Sequence, residues 1–293
     1  MAVIGFVGLG HMGRSMATRL LSAGHEVAVY DPAAGTADAL STMGAVHASN
    51  PRDASEDAEA VFVMVRDDAI SRAVWLGDDG VLGANLAPQT LAIECSTLSH
   101  GWVMELAEIL EARKLRYIDC PIAGTPDTAA SGSLVLNVGA KPEDLEAARP
   151  LLDDLATEIF PIGLPGTGTA YKLVANLLAA VELAGAAEAF AVARKAGLNM
   201  DTVAQAIRKD QVASPLVADN IRRMADDHHD RDLTFSVSLR RKDTAYSVAF
   251  AKEIGIDPPF ASGALAAFEK MEEWGWDELN ESKIVDLLHG IDV

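Results

Sequence analysis

A lysine and an asparagine stand four residues apart in "GTGTAYKLVAN", residues 166–176, where a glycine-broken approach runs into a long alanine-rich stretch. Lys172 falls in the first turns of the helix this stretch predicts, and Asn176 lies on the same face one turn later. A cation near the positive end of a helix dipole is locally disfavoured. That setting lowers a lysine's pKa, as a general acid or base working near neutral pH requires. A solvated lysine, or one donating to a neighbouring carbonyl, is the alternative reading. A second constellation opens the chain. Gly8, Gly10 and Gly13, with His11 and Met12 between them, form G-x-G-x-x-G after a strand-like run and before a helical one. The first glycine makes a tight turn, the second admits a pyrophosphate to the backbone, and the third lets helix and strand pack closely. Helix N–H groups then face the phosphates. Asp31 ends the next strand-like run, 18 residues past Gly13, and no Lys or Arg follows until Arg52. An acidic group there suits a ribose 2′-hydroxyl and repels a 2′-phosphate, so NAD is expected, with NADP possible. A tight turn without a ligand is the alternative.

These residues need elements to hold them. The runs "AVIGFVG", "MGRSMATRLLSAG" and "EVAVYD" read as one βαβ unit. Further strand-like runs at 60–65, 90–95, 116–121, 133–140 and 158–163 alternate with turn-rich or helical segments, including an amphipathic helix at 142–156. Alternation of this kind predicts an α/β fold, a doubly wound and mostly parallel sheet. From Ala170 to Ala196 there is no proline and one internal glycine. This predicts a buried helix of roughly 25 to 28 residues, about 40 Å long. Everything after it reads as helical. The expected organisation is a Rossmann domain over 1–164, a connecting helix over 165–196 and an all-α domain over 197–293, with the active site in the cleft between the domains.

Composition bounds the partners. The 293 residues are 49% apolar and carry a net charge of −19, with 24 basic against 43 acidic residues. Such a chain supports a packed core and repels nucleic acid and anionic lipid. Charges interrupt the apolar segments within about 10 to 15 residues, short of the ~20 that span a bilayer, and no signal peptide is visible, so a cytoplasmic protein is expected. Cys95 and Cys120 lack metal-ligand spacing and read as buried thiols. No metal site is expected: "DDHHDRD" (226–232) reads as a solvated charge run. Trp274 and Trp276 read as anchors of the C-terminal helices or of a subunit contact.

Four segments in order resemble the β-hydroxyacid dehydrogenase family: "GFVGLGHMGRSMA", "ECSTLS", "DCPIAGTPDTAASGSLVLNVGA" and "GTGTAYKLVAN". "FSVSLRRKD" (235–243) resembles the family's C-terminal Lys-Asp segment. The resemblance implies that Lys172 is the general acid/base and that Asn176 hydrogen-bonds near the reacting oxygen. It implies that Ser96 and Thr97 line the nicotinamide and substrate side, and that Lys242 reaches the cofactor or substrate. Ser96 and Thr97 also read as caps of a helix starting near Ser99, and Lys242 as a salt-bridging surface lysine beside Asp243. Val65 ends the strand-like run at 60–65 and Arg66 follows it; both are assigned to the cofactor, Arg66 to its pyrophosphate or to the substrate, with an exposed loop arginine as the other reading of Arg66.

Two departures bear on the substrate. Where the family commonly has Ser-Gly-Gly, this chain has Ala123-Gly124-Thr125, losing a hydroxyl and gaining bulk; Ala175 replaces the first of two asparagines. A small, anionic 3-hydroxy acid or its semialdehyde is the substrate class implied. Reduction of imines or non-acid carbonyls, and non-catalytic dinucleotide binding, are the competing readings. The resemblance also implies a homodimer or homotetramer.

Overall fold

The computed structural model describes residues 1–231 and 233–288. The expectations for Asp232 and for His289 and Gly290 lie outside the described residues. Nine strands are present among those described: β1 Val3–Val7, β2 Glu26–Tyr30, β3 Val46–His47, β4 Ala60–Val63, β5 Leu91–Glu94, β6 Arg116–Asp119, β7 Ile122–Ala123, β8 Leu134–Gly139 and β9 Ala156–Gly163. The helices are α1 His11–Ser22, α2 Asp38–Thr42, α3 Pro51–Ser55, α4 Asp68–Leu76, α5 His100–Ala112, α6 Pro126–Ala130, α7 Pro142–Leu155, α8 Thr167–Lys195, α9 Met200–Ile207, α10 Pro215–Asp226, α11 Val237–Glu253, α12 Pro259–Glu273 and α13 Ile284–Leu287. The chain divides into two compact units, Met1–Lys172 and Leu173–Val293.

In the first unit the strands run β3-β2-β1-β4-β5-β6-β8-β7, with β9 paired to β8. The six strands from β3 to β6 are parallel, and β8 joins β6 antiparallel at Asp119 opposite Gly139. Order 3-2-1-4-5-6 is the doubly wound arrangement, which places a ligand outside the carboxyl ends of β1 and β4, where the order reverses. Alternate residues explain the two covered faces. Phe6 and Phe62, stacked at 5.8 Å, join Met16 and Leu20 of α1 in one core. Val61 and Val63 join Trp75 of α4 and Trp102 and Leu106 of α5 in the other. Burying each large apolar side chain contributes about 1.5–3 kcal/mol. Cys95 and Cys120 are buried free thiols.

The long helix starts three residues earlier than the composition suggests and contains 29 residues. Alanine, the best helix former, fills much of it, and Arg194 and Lys195 complement its carboxyl end. Among the described residues α8 is the one helix long and apolar enough, by length and composition, to cross a membrane. This differs from the expectation that charges keep every apolar segment below spanning length, although Glu182 and Glu188 do interrupt α8. Ala180, Leu183, Ala187 and Phe190 of α8 are fully buried in the second unit's core, with Ile221, Met224 and Phe268. Trp274 and Trp276 meet edge to face at 5.0 Å within this unit.

Candidate active site

The glycine loop sits at the carboxyl end of β1. Gly8 has φ +97, and a side chain on it would strike the Met64 carbonyl at 2.1 Å. A side chain on Gly13 would strike the Gly8 carbonyl at 2.0 Å, so α1 can approach its strand only through glycine. Gly10 is different, since nothing lies within 4 Å of where its Cβ would be. It begins α1 with no side-chain cap and no acidic residue in the first turn. The amides of His11, Met12 and Gly13 therefore open onto a space suited to an anionic phosphate. The residues present fit a dinucleotide.

Asp31 follows β2 and ties this loop down. Its Oδ2 accepts the Leu9 N–H at 2.7 Å and its Oδ1 accepts the Ala33 N–H at 2.8 Å. Arg52, the first basic residue after it, spends its guanidinium on the Asp78 carbonyl and on Asp79. Val65 and Ser96, at the ends of β4 and β5, are joined directly: the Val65 N–H donates to Ser96 Oγ at 2.8 Å. Ser96, expected to line the substrate side, is only 1% exposed, and its hydroxyl supports the neighbouring loop; Thr97 is half-buried and Arg66 exposed. Neither Ser96 nor Thr97 caps α5, because Ser99 does.

Beneath this rim lies a carboxylate that composition alone does not single out. Glu94 is buried and accepts from Ser71 Oγ and Trp75 Nε1, both at 2.9 Å, and from the Ser96 N–H at 3.1 Å. Burial pushes its carboxyl above the usual range, against these hydrogen bonds, which pull it down.

Lys172 is the sixth residue of α8 and half-buried. Its Nζ donates to the Ile122 carbonyl at 2.9 Å. That bond brings the lysine beside Ala123 and Gly124, which the sequence assigned to the substrate. Gly124 and Thr125 are exposed. Thr125 caps α6 in a reciprocal box with Thr128, so its hydroxyl and its N–H are both engaged. Asp119, missed by the sequence reading, is the anchor of this region. It is 1% exposed, and its two oxygens accept the Thr169 N–H at 2.8 Å and the Thr169 hydroxyl at 2.6 Å. Burial pushes its carboxyl up to about 6, against the bonds from Thr169, Gly166 and Gly168.

In the second unit, Asn176 is buried and donates through Nδ2 to Asp243 Oδ2 at 3.0 Å. Lys242 Nζ lies 2.9 Å from Asp243 Oδ1, the pair the sequence suggests, but the lysine is largely buried rather than on the surface. Asn176 and Lys242, assigned separately from the sequence, are thus linked by a buried aspartate that the sequence reading treated only as a salt-bridge neighbour. In the charge run at 226–232, Asp227 and His229 come within 4.8 Å of Asp286, a partner the run itself does not contain. His229 is buried rather than solvated; its Nδ1 meets Ser282 Oγ at 2.8 Å, and Asp286 pairs with Lys283 at 2.6 Å.

Residues 3–163 match the family described as the NAD binding domain of 6-phosphogluconate dehydrogenase. Residues 166–288 match that described as NAD-binding of NADP-dependent 3-hydroxyisobutyrate dehydrogenase. The NAD-dependent L-serine dehydrogenase of Pseudomonas aeruginosa is 33% identical over 98% of both chains. Among solved structures, a 3-hydroxyisobutyrate dehydrogenase from Salmonella typhimurium superposes with TM-score 0.89 at 27% identity, over 98% of this chain and 100% of its own. The Mycobacterium tuberculosis 3-hydroxyisobutyrate dehydrogenase solved with L-serine gives 0.88 at 28% identity, over 99% and 100%. A dinucleotide loop in a doubly wound sheet, matched along nearly the whole chain by such enzymes, defines an NAD(P)-dependent oxidoreductase acting on CH–OH groups. The chain belongs to the β-hydroxyacid dehydrogenase family.

Proposed function

We propose that this enzyme interconverts a small 3-hydroxy acid and its semialdehyde, using NAD in preference to NADP, with Lys172 as general acid/base. The observation that carries the reading is the bond from Lys172 Nζ to the Ile122 carbonyl, beside Ala123 and Gly124. A carbonyl accepts an N–H from lysine whether the amine is neutral or protonated. It therefore holds Nζ in place throughout a proton cycle.

Bound nicotinamide supplies the hydride acceptor in oxidation and the donor in reduction. In oxidation neutral Lys172 takes the hydroxyl proton of the substrate; in reduction its ammonium returns a proton to the developing alkoxide. Asn176 keeps one amide N–H on Asp243 and offers the other to the reacting oxygen. The backbone amides of Ala123 and Gly124 orient the substrate's anionic end, with Thr125 shaping the pocket through its bulk rather than its engaged hydroxyl. Gly8, Gly10, His11, Met12 and Gly13 receive the pyrophosphate. Asp31 takes the ribose 2′-hydroxyl, and Val65, Arg66, Thr97 and Lys242 complete the cofactor side, with Ser96 in support.

The hydroxy-acid reading is favoured over imine reduction because the L-serine and 3-hydroxyisobutyrate enzymes share 27–33% identity with this chain, whereas the solved imine reductases that cover as much of it share 18–21%. Lys172 speaks against mere dinucleotide binding. The test is a panel of L-serine, 3-hydroxyisobutyrate, other 3-hydroxy acids, polyols and cyclic imines, assayed by nicotinamide absorbance with NAD and NADP. Turnover of a 3-hydroxy acid above all other classes is expected; turnover confined to imines or polyols contradicts the reading.

A further inference from the structure

Two contacts of equal sequence separation join the stretch running from the end of β6 to the start of β7 with the start of α8. Asp119 meets Thr169, and Ile122 meets Lys172, each pair 50 residues apart. Both segments advance by three residues between the contacts. The helix start and the stretch from Asp119 to Ile122 are therefore in fixed register, and the position of Lys172 Nζ depends on the contact upstream.

That upstream contact leaves little slack. The Asp119 carboxylate takes both the amide and the hydroxyl of Thr169, and the amides of Gly166 and Gly168 also donate to it. Backbones pass against one another at the same spot. A Cβ on Gly168 would lie 2.6 Å from the carbonyl oxygens of both Asn137 and Asp119, and one on Gly139 would lie 2.7 Å from the Gly168 nitrogen. The opening turn of a helix has amides without partners in the helix. Here one buried side chain from the adjacent strand satisfies several of them, and its negative charge suits that end of the helix.

We propose that Asp119, acting through Thr169, is a positioning residue that sets Lys172 in register with the Ile122 carbonyl and hence with the substrate. This rests on the reading of Lys172 as the acid/base. Displacement of a catalytic group by about 1 Å can cost on the order of 100-fold in rate. Removing one of the Thr169 contacts should thus appear in kcat before it appears in binding or folding.

The experiment compares Thr169→Val, Thr169→Ser, Asp119→Asn and Lys172→Ala in the full-length protein. Assays use the best substrate of the panel above, NAD affinity is read by fluorescence, and amide hydrogen exchange covers residues 169–172. In Thr169→Val, kcat should fall about 10-fold with NAD affinity within about twofold of wild type, and Thr169→Ser should recover most of the loss. Asp119→Asn should lose more. Added to Lys172→Ala, Thr169→Val should lower the residual rate no further, since both act on one group. Exchange at residues 169–172 should rise at least about tenfold in Thr169→Val without rising in β6, an outcome readable without any substrate. If Asp119→Asn does not fold, Thr169→Val carries the test. Wild-type kcat in Thr169→Val with a dead Lys172→Ala overturns the positioning role alone. An equal fractional loss in the Lys172→Ala background overturns it too. Unaltered exchange at 169–172 does the same. An active Lys172→Ala overturns the reading of the lysine beneath it.

Discussion

Asn176 and Asp243, 67 residues apart in the chain, are joined by a 3.0 Å hydrogen bond in the core of the second unit, and Lys242 neutralises the same aspartate from 2.9 Å. With side chains only 12% and 5% exposed, Lys242 and Asp243 form a nearly buried ion pair. Lys242→Met removes one partner and strands a carboxylate in the core. The expected loss is about 3 kcal/mol in urea unfolding, recovered in part in Lys242→Met/Asp243→Leu, which leaves the buried Asn176 amide without its acceptor. A Lys242→Met protein as stable as wild type would show that the pair is solvated in solution.

The glycine loop separates folding from ligand binding. Gly13→Ala places a Cβ 2.0 Å from the Gly8 carbonyl and should cost several kcal/mol or prevent folding, whereas Gly10→Ala meets nothing within 4 Å. Gly10→Ala should melt within a few degrees of wild type while NAD affinity falls at least about tenfold, because the methyl group fills the space where pyrophosphate meets backbone. Thermal melting with NAD titration by calorimetry checks both; unimpaired NAD binding by Gly10→Ala would contradict the placement.

Asp31 has two tasks. Asp31→Ala should raise the NADP to NAD ratio of kcat/KM by at least about tenfold, the repulsion of a 2′-phosphate being gone. It should also destabilise the protein by about 1–3 kcal/mol, through the Leu9 amide left without its 2.7 Å acceptor. An unchanged cofactor ratio would remove Asp31 from the ribose site.

The pH dependence of stability follows from Asp119. Its carboxyl rises from an ordinary 3.8 to about 6 in the folded protein, chiefly through burial, so between these values the folded state binds the proton more tightly. Its contribution is fully present below about 4 and is lost as pH rises through 6; at about 1.4 kcal/mol per pH unit the change is about 3 kcal/mol. Glu94 of β5, in register with Asp119, is also raised by burial and adds in the same direction, while Cys95, Cys120 and Tyr117 line the same region. Asp119→Asn should remove about 2 kcal/mol of this change in urea titrations between pH 4 and 6.5. An unchanged slope would assign it to other groups.

The sheet, the glycine loop and the lysine helix are legible in the sequence because each depends on local pattern: alternating runs, a motif in its strand–helix context, and an uninterrupted alanine-rich stretch. The β5 and β6 strands end one residue before Cys95 and Cys120, which are buried and still donate an amide each to the neighbouring strand; apolarity reports burial, not the strand boundary. Asp119 and Asp243 escape a sequence reading for a different reason. An acidic residue at a strand end or within "RRKD" resembles a solvated one, and only contacts across 50 and 67 residues reveal its partners. The same holds for Asp286, which joins Asp227 and His229 from a distant helix.

Lys172→Ala tests the central claim most directly. Steady-state turnover of the best 3-hydroxy acid substrate should fall at least about 100-fold, the lower end of what general acid/base catalysis contributes, while NAD affinity stays within about twofold of wild type. Turnover within a few-fold of wild type, in a variant that still binds NAD, would contradict lysine acid/base catalysis.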